Sequence, residues 1–242
     1  MSSRPSTPPP GWAQDTLTSN LEEFRGNQWA TFHNKRSEMR DIIALDGMFD
    51  RLLHGAQNPT PILPATFLLR AHSAYRAAVS LAMGGQLYEV QSLLRLCLEH
   101  AAYGFFVGDD QAKWTRWMQR DDSDKNKEAV RREFSHGAIK HALKQADATV
   151  GGNFEKMYER LIDFGAHPNE QGYSMSTLLE RHSNETRISA LHLHGEGVPL
   201  DFSLKTVAQT AICALKIAHL IYPVRMDLAG ITHDLEQIAK GY

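Results

Sequence analysis

An arginine, a glutamate and a histidine stand on a strongly apolar helix-forming stretch of this 242-residue chain. Residues 86–107 carry Leu87, Val90, Leu93, Leu94, Leu96, Leu98, Ala101, Ala102, Phe105 and Phe106. A helix that is apolar nearly all round is central and buried. Arg95, Glu99 and His100 interrupt it, and buried charge is costly unless it is paired. Arg95 and Glu99 are four residues apart, about 40° around a helix axis, so they share a face. Two chemistries suit such a pair. It can be an internal ion pair that ties helices together, or a guanidinium that Glu99 orients toward a phosphate or carboxylate. His100 follows Arg95 by five residues, which sets it about 140° away on a straight helix.

The stretch Arg95-Leu96-Cys97-Leu98-Glu99-His100 resembles the R-x4–6-H signature of HEPN proteins, all-helical bacterial and archaeal domains. Many of these are metal-independent ribonucleases of toxin–antitoxin and phage-defence systems. The resemblance implies that Arg95 stabilises a charged phosphorane and that His100 is the general acid/base. It further implies RNA as substrate, with its 2′-hydroxyl as nucleophile, a homodimer that joins two motifs in one cleft, and an antitoxin partner. Leu96 stands where the family often has a polar residue, and the motif lies mid-chain rather than on a late helix. A broader stretch, about 65–170, is similar to a bacterial family of unknown function with HEPN-like organisation. The matching features are the Arg-x3-Glu, the aromatic run after it and the loop Ala166-His167-Pro168. This similarity implies that Arg95, Glu99 and His167 meet across the bundle.

Metal chemistry has two thin footholds. His192 and His194 are two apart on an expected strand, so they share a face and could form half a zinc site near Glu196. Glu133 and His136 form a helical E-x-x-H with His141 beyond it, but a di-iron bundle needs two such motifs and two further glutamates. No metal site and no cofactor is therefore expected. His72 and Arg76 share a face on the preceding helix, either as a satisfied pair or as part of the cleft around Arg95. No G-x-S-x-G, Gly-rich phosphate loop or dinucleotide fingerprint is present.

Helix periodicity dominates the elements that must position these groups. Helices are expected over 16–54 with a break near Gly26, over 64–83, over 86–107 across a Gly84-Gly85 turn, and onward to about Ala148. Within that span, 109–133 holds seven acidic and seven basic residues, the mark of a solvated helical face. Gly151-Gly152-Asn153 reads as a break before a short helix ending near Phe164, and another short helix is expected over 175–182. Alternation from Thr186 to His194, turn chemistry at His194-Gly195-Glu196-Gly197 and a return over Val198–Phe202 predict a β-hairpin near 186–202. Ser203 can cap a long helix that runs to Tyr222, and a last helix covers about 232–240.

Residues 1–13 are rich in Pro and Ser and read as a disordered tail, with 14–242 as one domain. Net charge is −2, which excludes a strongly basic nucleic-acid binder, and two cysteines exclude a disulfide scaffold. No uncharged apolar run of about 18 residues and no N-terminal apolar segment is seen, so a cytoplasmic protein without membrane contact is expected. The fold expected is mainly α, a single helical bundle with an inserted β-hairpin. The functional readings are a HEPN-like metal-independent endoribonuclease, with Arg95, Glu99, His100 and His167 at its site, and a non-catalytic helical binding protein in which Arg95–Glu99 is structural.

Overall fold

A computed structural model describes residues 7–242 apart from 57, 167 and 169. It is mainly α with one inserted two-stranded hairpin. Asp15 starts α1 (Thr16–Asn34) by accepting a hydrogen bond from the Thr18 amide at 2.9 Å. The break after α1 comes at Lys35 and not at Gly26, which sits inside the helix; α2 (Arg36–Leu53) follows at once. Residues ahead of α1 are tied down as well. Trp12 Nε1 donates to Glu22 at 2.7 Å, and the Ala13 amide donates to Thr18 Oγ1. Trp12 and Ala13 thus contact α1, while residues 1–6 lie outside the described residues.

α3 (Ile62–Gly84) and α4 (Glu89–Val107) form an antiparallel pair across the Gly84-Gly85 turn. Gly85 takes the left-handed conformation, φ 92°, that closes a helix end and suits glycine. Its carbonyl accepts the His194 amide at 2.9 Å, and a Cβ there would lie 2.4 Å from the His194 carbonyl oxygen.

After α4 come four α-helices, α5 (Gln111–Met118) and α6 (Asp124–Glu133) within the charged segment, then α7 (His136–Ala146) and α8 (Ala148–Leu161). Each has its own cap. Asp110, Ser123, Ser135 and Asp147 accept backbone N–H groups that the first turn leaves unpaired. Gly151-Gly152 does not break the chain. Both lie inside α8, where Gly151 lets the helix approach Lys144 of α7. A π-type turn, Ile162–Ala166, leaves α8 and packs on α4, and α9 (Glu170–Ser176) leads into the hairpin.

The hairpin is β1 (Thr177–Arg181) paired antiparallel with β2 (Thr186–Ala190), with Leu179 opposite Ile188. The strand expected from Thr186 is present, but its partner precedes it, where a helix was expected. Val198–Phe202, read as the return strand, is instead the first turns of α10 (Val198–Ile221), which Gly197 starts in place of Ser203. Pro199 fits a first helical turn, where no amide hydrogen is needed. α11 (Pro223–Leu228) and α12 (Ile231–Ala239) close the fold.

One apolar cluster runs from Met39 to Leu235, with α4 and α10 at its centre. α10 is long and apolar enough to cross a membrane by length and composition, but 67% of the relevant stretch is buried in this core. A satellite cluster gathers Phe67, Val107, Val130 and Phe134 under Trp114 and Trp117.

Candidate functional site

α4 turns Arg95 and Glu99 toward α7 and α8. Arg95 Nε donates to Glu99 Oε1 at 2.9 Å, and the Tyr158 hydroxyl donates to the same oxygen at 3.0 Å. The Arg95 guanidinium lies 5.1 Å from the centre of the Tyr158 ring, a cation–π distance. His136 stacks on that ring at 4.0 Å between centroids. The pair is not sealed: the side chains of Arg95 and Glu99 keep 29% and 32% of their surface. Arg95, Glu99, Tyr158 and His136 thus make one polar group drawn from three helices.

Its electrostatics follow from that geometry. Burial opposes the Arg95 charge, but Glu99 outweighs it, so the guanidinium holds its proton more tightly than usual. Burial, then the Lys140 charge, lowers the His136 pKa below its ordinary value against the pull of Glu99. His136 is therefore neutral at pH 7 and can accept a proton. Burial and Glu99 push the Tyr158 hydroxyl up, keeping it a hydrogen donor. Glu155 fastens α7 to α8 beside the group through Lys140 and Lys144, both at 2.6 Å, which hold its carboxyl at about 2.

His100 is on the other side of α4. It packs by the Phe67 ring at 6.3 Å, and burial with the Arg70 charge lowers its pKa. Arg95 and His100 consequently have different neighbours within this chain, as five residues on a straight helix require. His167 lies outside the described residues.

His192 and His194 do not share a strand, because β2 ends at Ala190 and both lie in the irregular segment beyond it. No group of three or more His, Cys, Asp or Glu that could hold a metal occurs among the described residues. Glu133 of the E-x-x-H pairs with Arg116, while His136 turns to Tyr158. His72 and Arg76 join Asp46 of α2, with His72 Nε2 and Arg76 Nε both 2.7 Å from Oδ1, so they form a rim pair apart from Arg95. Cys97 and Cys213 are buried, and burial pushes both thiols up, which makes them inert.

Sequence reasoning missed Tyr158, and it weighed His136 only as a metal ligand. The available signal was periodic: Phe154 and Tyr158 are four apart and form an aromatic stripe on α8 opposite Arg95. No protein-family model matches this chain, and neither a curated protein nor a solved structure matches it.

Proposed function

We propose that this protein is a metal-independent, HEPN-like endoribonuclease of a toxin–antitoxin or phage-defence system, with its site at Arg95, Glu99, His136 and Tyr158. The supporting observation is that a partly exposed guanidinium and a neutral imidazole pack on the same tyrosine. Arg95 binds the scissile phosphate and offsets the charge that develops in the transition state. His136 takes the proton of the 2′-hydroxyl as general base. Glu99 and Tyr158 fix the Arg95 side chain and are positioning residues. His100 has no part within one protomer. A homodimer and a small antitoxin partner accompany this activity, and light scattering of the purified protein tests the first.

A second reading rests on a specific observation: Glu99 accepts from both Arg95 and Tyr158, a closed network across α4 and α8. On that basis the pair is structural in a non-catalytic helical binding protein. RNA cleavage in EDTA by wild type, Arg95→Ala, His136→Ala and His100→Ala separates the two, with folding checked by circular dichroism. Nuclease action is expected in wild type and His100→Ala and lost in folded Arg95→Ala and His136→Ala. Inactive wild type with unfolded Arg95→Ala favours the structural pair.

A further inference from the structure

The opposite face of α8 carries a second polar group with a different character. Asn153, Lys156 and Arg160 project about 140–200° around the helix from Tyr158, away from the Arg95 group. They line a cavity of about 470 Å³ shared with Gln209 and Lys216 of α10 and with Tyr242. Three of these six side chains are cationic and none is acidic. Such a volume suits a small organic ligand and exceeds the need of a lone ion.

Arg160 is the distinctive member. Its Nη2 donates to the Gln209 side-chain oxygen at 2.5 Å and to the Met157 sulfur at 2.6 Å, both uncharged acceptors. Its Nε is buried and has no hydrogen-bond partner among the described residues. Burial lowers its pKa with no carboxylate acting against it, the reverse of Arg95. A half-buried guanidinium without a counterion is costly, and an anion entering from the cavity removes that cost. Lys156 and Lys216 stand at the same opening. A phosphate monoester, close to dianionic at pH 7, matches three cations better than a single carboxylate does. Ile212 and Ala239 supply an apolar wall for the organic part, and Asn153 supplies an amide for its polar atoms, while Gln209 is held between Arg160 and the Tyr242 main-chain oxygen.

We infer that the cavity between α8, α10 and Tyr242 binds a small phosphorylated ligand, with its phosphate on Arg160, Lys156 and Lys216. This inference does not depend on the ribonuclease proposal, because it uses other residues and is read by binding.

Thermal shift and calorimetry with inorganic phosphate, AMP and adenosine test it, on wild type, Arg95→Ala, Arg160→Met and Lys216→Ala. Phosphate and AMP are expected to raise the Tm of wild type and Arg95→Ala, and adenosine is expected to do neither. Arg160→Met removes an unpaired charge and keeps the bulk. It is expected to melt at or above the wild-type temperature and to lose the phosphate response. Lys216→Ala is expected to weaken AMP about tenfold, the scale of one charge-assisted hydrogen bond. No response from wild type, an undiminished response in Arg160→Met, or one abolished by Arg95→Ala that circular dichroism shows to be folded would overturn the inference.

Discussion

His136 lies nearly flat on Tyr158, 24° from parallel with ring centres 4.0 Å apart, so the imidazole is held by an aromatic face on the helix that also anchors Glu99. Protonation of His136 is opposed first by burial and then by Lys140, with Glu99 acting the other way and Arg95 adding to the opposition. The folded pKa is below the ordinary 6.5, so the unfolded chain takes up the proton first as pH falls. The stability that depends on neutral His136 is complete above pH 6.5 and is lost as pH drops through the folded value. His100 adds a slope of the same sign. His136→Phe is expected to flatten the dependence of unfolding free energy on pH below 6.5, measured by urea melts. An unchanged slope would contradict the assignment.

Asp46 clamps α2 to α3 by receiving both His72 and Arg76. Burial raises its pKa, but the Arg76 and His72 hydrogen bonds outweigh that and hold the carboxyl below 3.8. Its contribution is present above pH 3.8 and disappears as pH falls through the folded value. Asp46→Asn is expected to cost about 1 kcal/mol at pH 7, discounted for the exposure of Arg76. A gap at pH 7 that narrows as the pH is taken below 3.8 is the signature to look for.

Gly85 joins the helical pair α3–α4 to the segment that follows the hairpin. Gly85→Ala forces a left-handed alanine, about 1–2 kcal/mol by itself. It also drives a Cβ to within 2.4 Å of the His194 backbone oxygen. A total loss of about 2 kcal/mol or more is expected in chemical denaturation. A smaller loss would mean that the His194 segment yields easily.

The hairpin carries little of the fold. Every residue of β2 is exposed, and β1 is exposed except at Thr177. Ser176 and Leu191 are already joined by a backbone hydrogen bond of 2.8 Å, so a short turn can replace residues 177–190. That replacement is expected to change stability by about 0.5 kcal/mol or less. A clear drop in Tm would reveal contacts made by the hairpin in an assembly, where Leu179 and Ile188 offer an exposed apolar pair.

What the sequence determined by itself was local. The Arg95–Glu99 pair was legible because a four-residue spacing on a helix sets two side chains together whatever surrounds them. The central place of α4 was legible because its apolar residues leave no face for water, and the Gly84-Gly85 turn because the chain there needs a left-handed residue. Breaks were harder. Gly26 and Gly151 were misread as stops, since glycine weakens a helix by only about 1 kcal/mol and packing overrides that. The real boundaries had caps at Asp110, Ser123, Ser135 and Asp147, a signal present in the chain and not used.

Only the tertiary structure decided which groups meet. It paired β2 with the segment before it, because a turn at 182–185 closes more readily than one through a helix start. It turned His100 toward Phe67 and brought His136 and Tyr158 to Arg95 from two other helices. Among the described residues, it also left Arg160 paired only with uncharged acceptors on the far side of α8. Helical periodicity tells which way a side chain faces on its own axis. What it faces depends on how separate helices pack, and that is settled by the shared burial of residues far apart in the chain.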